Sequence, residues 1–170
     1  MSALVAGGLQ ALTDDIRTAD EDNPKGYFEL EKVKELAKDN TWLADARGKV
    51  VKIISALLKN LPSEHGYKII FMRRNMDEVL ASQRQMLIRR GEPTDTVSDE
   101  RMAEMFTKHL RNVESWLEKQ PNMDVLYVSY NEMLINAASG IETINAFLGG
   151  ALDEEKMASA IDRKLHRQRR

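Results

Sequence analysis

In the stretch IIFMRRNMDEVLASQRQ, Ile69 to Gln85, an apolar run ends in two arginines, and a serine stands eight positions after the second. A guanidinium presents five N–H donors in a planar fork and a hydroxyl can both donate and accept, so Arg73 or Arg74 with Ser82 can grip one phosphate. Asn75 reads as the cap of a helix that carries Asp77 and Glu78 in its first turn, where the helix dipole favours acids. Ser82 follows Asn75 by close to two turns, a rise of roughly 10 Å, which puts both on one helix face. In an open α/β sheet, ligands gather beyond the carboxyl ends of the strands, where helix N-termini expose backbone N–H groups. The same pattern also fits two solvated arginines and a neutral helix serine, and the spacing leaves open which arginine does the gripping.

A second basic feature is RKLHRQRR at the end of the sequence, with five arginines and lysines and no acid. It reads either as a solvated helix end or as a clamp for a phosphate or another polyanion. The overall charge of −2 argues against a general nucleic-acid binder. The lack of cysteine excludes disulfides, thiolate metal sites and thiol nucleophiles. The acid-rich DDIRTADED reads as a solvated surface, since nothing supplies octahedral ligands in a defined order; no metal site is expected.

The elements that must position these groups are short. KVVKII (Lys49 to Ile54), YKIIFM (Tyr67 to Met72) and VLYVSY (Val125 to Tyr130) are β-rich runs without clean alternation, as expected of parallel strands buried on both faces. Ser98 to Gln120 carries Met102, Met105, Phe106, Leu110, Val113, Trp116 and Leu117 at three- and four-residue steps and predicts an amphipathic helix capped by Ser98. Asn75 to Arg90 predicts a second helix that stops at Gly91. Leu30 to Lys38 predicts a further one, and NEMLINAASGIETINAFLGG predicts two short helices broken near Gly140. At 170 residues, with 31% charged and 42% hydrophobic residues, the chain fits a single soluble α/β domain over 1–170 with right-handed crossovers. No run reaches the length of a membrane span and the start lacks a basic n-region, so a cytoplasmic protein is expected. Three parallel strands are few, and a strand upstream of KVVKII is missing from the pattern.

RNMDEVLAS resembles the 3′-phosphate-binding segment of the sulfotransferases, in which an arginine ends a strand and a serine follows eight positions later. DNPKGYFE, VVKIISALLKNLP, VLYVSYNEML and INAFLGG extend the resemblance, in order and spacing, to bacterial members over essentially the whole chain. It implies a P-loop NTPase-like three-layer α/β/α fold with a short parallel sheet. It also implies binding of 3′-phosphoadenosine 5′-phosphosulfate and, in a complete member, sulfuryl transfer to a hydroxyl or amine without a metal. By this resemblance Arg74 and Ser82 hold the 3′-phosphate, Tyr130 lies near the adenine, Arg167 and Arg169 supply a late phosphate contact, and Lys52 acts on the sulfuryl group. Lys25 or Tyr27 would touch the acceptor.

The family's other half-site, a first strand followed by a loop resembling P-R-S-G-T-S, is not in this sequence, and MSALVAGG reads as the tail of the helix that would follow it. The chain is therefore expected to be N-terminally truncated relative to the family, to have an open sheet edge, and to be marginally stable or dimeric. Ile54 stands where cytosolic members carry their histidine base, and His65, His109 and His166 fall elsewhere, so no base is assigned. Two other readings remain: a nucleotide-binding or interaction protein without transfer, and a nucleotide kinase of the same broad fold, which the lack of G-K-[ST] disfavours.

Overall fold

Tyr67–Arg73 (β1) and Met123–Ser129 (β2) pair in parallel, in register from Tyr67 opposite Met123 to Arg73 opposite Ser129. The computed structural model describes residues 1–14, 16, 17, 19, 26–94 and 96–161. Both faces of the pair are covered. Ile69, Phe71, Met123, Val125 and Tyr127 pack into one core with Val33, Leu36, Trp42, Leu58, Val113 and Leu117. Ile70, Leu126 and Val128 pack into a second with Leu4, Met133, Ile141, Ile144 and Met157. Two buried faces account for the absence of polar alternation in the sequence.

The helices follow from caps and stripes. Met76–Arg90 (α2) starts where the Asn75 side chain accepts from the Asp77 N–H and ends at Gly91, whose φ of 68° suits a residue without a Cβ. Asp99–Leu117 (α3) starts where Ser98 Oγ accepts from the Arg101 N–H. It buries Val113 and Leu117 on the first core and joins α2 through Arg84 and Asp99 at 3.0 Å. Ser2–Ala6 (α1), Tyr130–Ile135 (α4), Ala137–Leu148 (α5) and Glu154–Ser159 (α6) build the second core.

Three expectations are corrected. Lys49–Ile54 does not join the two-stranded sheet. Val51 and Ile53 face the first core and Val50 the second, as in an extended run. Its partnership is one parallel bridge, in which the Leu12 N–H donates to Val50 O and the Val50 N–H donates to Gln10 O. Beyond the bridge, Thr13 Oγ1 donates to the Glu29 carbonyl at 2.8 Å. Leu30–Lys38 forms a 3-10 helix over Glu31–Glu35 rather than an α-helix. Leu30, Val33 and Leu36 all pack into the first core, and their three-residue spacing matches three residues per turn. The break between α4 and α5 falls at Asn136, not Gly140. Gly140 lies inside α5, where a Cβ would overlap the Met133 sulfur of α4.

Candidate functional site

Arg74 stands at the junction of β1 and α2, and its surroundings come from three elements. Its Nε donates to Glu78 Oε2 at 3.0 Å, one helical turn along α2. Glu78 is buried, and its Oε1 accepts from Asn131 Nδ2 at 2.7 Å. The guanidinium lies over the Tyr130 ring, 4.7 Å from the centroid. Because β1 and β2 are parallel and in register, α2 and α4 begin at the same sheet end, and this brings Arg74 and Tyr130 together. Asn75, Glu78 and Ser82 share one stripe of α2 at three- and four-residue steps. Ser82 is exposed on it, one turn beyond the carboxylate that holds Arg74.

The two arginines part company. Arg73 turns to the first core, where its guanidinium pairs with Glu114 of α3 at 2.9 Å and lies 4.1 Å from the centroid of Tyr127. Arg74, unlike Arg73, meets Glu78 and Tyr130.

Lys52 lies in a separate group. Its Nζ donates to the Tyr27 carbonyl at 3.2 Å and to Glu29 Oε1 at 3.1 Å. Phe28, between these two residues, has a φ of 50°, a left-handed conformation uncommon outside glycine. That conformation lets Tyr27 and Glu29, on either side of Phe28, present a carbonyl and a carboxylate to one ammonium. Arg17 stacks on the Tyr27 ring at 3.4 Å and pairs with Glu29 at 3.4 Å. Partial burial pushes the Glu29 carboxyl up, but the hydrogen bond and charge of Lys52, then the Arg17 charge, outweigh it and hold the group below its ordinary range. The Met1 amine is held below its usual value by burial and then by the Lys52 charge. Tyr27 is itself buried, with Arg17 covering its ring.

Arg167, Arg169 and His166 lie outside the described residues, as does Lys25. The His65 carbonyl accepts from Asn122 Nδ2, and its ring meets Tyr67 edge-on. His109 of α3 has its Nε2 2.9 Å from Ser55 Oγ. Among the described residues no cluster could hold a metal ion, and no helix is long and apolar enough to cross a membrane.

The sequence reading missed Glu78, Asn131, Glu29 and Ser55. Glu78 follows Arg74 by four residues, the ion-pair spacing of a helix surface, a signal that was there to find. The Ser55–His109 pair spans 54 residues of chain and carries no local signal.

The family model for the sulfotransferase domain matches residues 45–166. The chain belongs to the sulfotransferase family. No curated protein and no solved structure matches it. Lys52, Arg74, Ser82 and Tyr130 all fall inside the segment shared with the family, whereas Tyr27 and Glu29 precede it and Arg167 and Arg169 follow it. A sulfotransferase moves a sulfuryl group from a donor to an acceptor, so its site must neutralise an anionic donor and position an acceptor atom in line with it.

Proposed function

We propose that this sulfotransferase binds 3′-phosphoadenosine 5′-phosphosulfate at the strand ends and, together with a phosphosulfate-binding loop such as the family carries, transfers its sulfuryl group to a hydroxyl or amine acceptor, on a P-loop NTPase-like framework. Arg74 and Ser82 take the 3′-phosphate, Tyr130 stacks near the adenine, and Lys52 faces the sulfuryl end. The observation that carries this reading is the placement of Arg74. Its fork is oriented by a buried carboxylate and an aromatic face, on the helix stripe that ends in an exposed serine hydroxyl. Preorganising a guanidinium in this way lowers the entropy lost when it meets a phosphate. No metal is required, because basic side chains supply the positive charge.

Titration with 3′-phosphoadenosine 5′-phosphate tests the reading. Arg74→Ala should weaken binding by about 10- to 100-fold, the equivalent of one or two charge-assisted hydrogen bonds. Adenosine 5′-phosphate, which lacks the 3′-phosphate, should bind wild type and variant alike. Equal affinity of wild type and Arg74→Ala for the bisphosphate would remove the assignment. One observation favours a second reading, nucleotide binding without transfer: the Lys52 charge is offset by Glu29. Labelled donor that binds but passes no sulfuryl group to any of a broad panel of alcohols and amines would select that reading.

A further inference from the structure

Ser55 Oγ and His109 Nε2 are 2.9 Å apart, and their place in the fold gives the contact a use. Ser55 opens the 3-10 turn Ser55–Asn60, three residues after Lys52. His109 lies on α3, which returns the chain to the start of β2 and so runs against the strands. Glu114 of α3 meets Arg73, the last residue of β1. His109, five residues earlier, lies roughly 7–8 Å farther along the helix, in the direction in which the strands point. Serine and histidine thus meet toward the sheet end from which Arg74 and Tyr130 project. Beside them stand two large apolar side chains that the fold leaves in solvent. Ile54, next to Ser55, is 61% exposed, and Met105, one helical turn before His109, is 54% exposed. The Glu29 carboxylate near Lys52 is a poor rival for a proton, since Lys52 and Arg17 already occupy it.

We propose that Ser55 and His109 form the proton-accepting pair of sulfuryl transfer, for an acceptor alcohol whose apolar body rests on Ile54 and Met105. The proposal rests on the sulfuryl-transfer reading above. In the imidazole tautomer with its proton on Nδ1, His109 Nε2 accepts from Ser55. Ser55 is the catalytic residue that touches the acceptor: its Oγ takes the hydroxyl proton and passes its own to His109 Nε2. The electron pair freed on the acceptor oxygen forms the new O–S bond. The bond from sulfur to the nucleotide's bridging oxygen breaks, and its pair stays on the 5′-phosphate of the departing nucleotide. The imidazolium then releases its proton to water. His109 is a positioning residue, acting through Ser55.

The first test needs no variant. The full chain, loaded with 3′-phosphoadenosine 5′-phosphate, is treated with diethyl pyrocarbonate, and mass spectrometry reads each histidine separately. Near-saturating 2-naphthol should slow modification of His109 by about fivefold, leave His65 unchanged, and have no counterpart with glucose. An unchanged His109 rate overturns the proposal. The second test compares acceptors. Ser55→Ala and His109→Gln should each lower kcat about a hundredfold for an alkyl alcohol, with KM and nucleotide affinity nearly unchanged. For 4-nitrophenol, largely ionised before it binds, they should lose less than about tenfold. A merely structural role would slow both acceptors alike, so equal losses overturn the pair while leaving sulfuryl transfer standing. A chain that transfers to no acceptor overturns both.

Discussion

Replacing Glu78 with glutamine keeps its size and removes its charge. The carboxylate accepts from Arg74 Nε at 3.0 Å and from Asn131 Nδ2 at 2.7 Å. A glutamine side chain has one accepting oxygen and one donating NH2, so it keeps both partners only when the Asn131 amide turns its oxygen toward the new NH2. Both charge-assisted bonds then fall to neutral ones, a loss of about 1 kcal/mol each. The Arg74 side chain is 28% exposed and water recovers part of this, so the expected loss is about 1–2 kcal/mol. With a urea slope of about 1–3 kcal/mol per molar, the midpoint should fall by about 1 M at unchanged slope. The double variant Arg74→Met, Glu78→Leu should recover most of that loss, because removing both charges leaves none buried and unpaired. A Glu78→Gln stability within about 0.5 kcal/mol of wild type would refute the reasoning, as would a double variant that loses the sum of the two single changes.

Three further outcomes are expected. Gly140→Ala should lose about 1–2 kcal/mol, since the overlap with Met133 outweighs the roughly 1 kcal/mol gain in helix propensity. The same change in a Met133→Ala background should be neutral or stabilising, and urea unfolding measures both. Leu117→Ala, at a side chain 2% exposed in the first core, should lose about 2–5 kcal/mol by the same measurement. Glu29 has a lowered folded pKa, so the stability it contributes is present above the ordinary glutamate range and is lost as pH falls through the lowered value. Glu29→Gln should therefore unfold more readily than wild type at neutral pH. The difference should close on acidification, and a gap that stays constant down to strongly acid pH would contradict the ion pair with Lys52.

The parts of the fold set by neighbours in sequence were legible from it. Asn75 and Ser98 cap their helices because a short polar side chain can reach an N–H two or three residues on, and that geometry is local. The apolar stripe of α3 follows from a period of 3.6 that a sequence displays directly, and the doubly buried runs of β1 and β2 from short apolar runs without polar alternation. Lys49–Ile54 shows where this stops. Its β-branched residues determined an extended course and burial on both sides, but ladder pairing needs a partner in register, and the described residues give it one bridge, at Ala11. Gly140 reads as a breaker until Met133 is seen against it, when the residue becomes a requirement of close helix packing.

The candidate site divides in the same way. The sequence by itself determined that a guanidinium would stand at a strand end, with a hydroxyl two turns along the next helix, because both positions depend only on helix rise and strand termination. The family resemblance named Arg74, and tertiary structure sets the two arginines in different surroundings. The parallel register of β1 and β2 sets Tyr130 and Asn131 beside Arg74 and Glu78, while α3 draws Arg73 away through Glu114. It also decided that Ser55 meets His109, since the separation between two residues 54 apart is fixed by the path of the chain between them and by the packing of α3, and no local period encodes it.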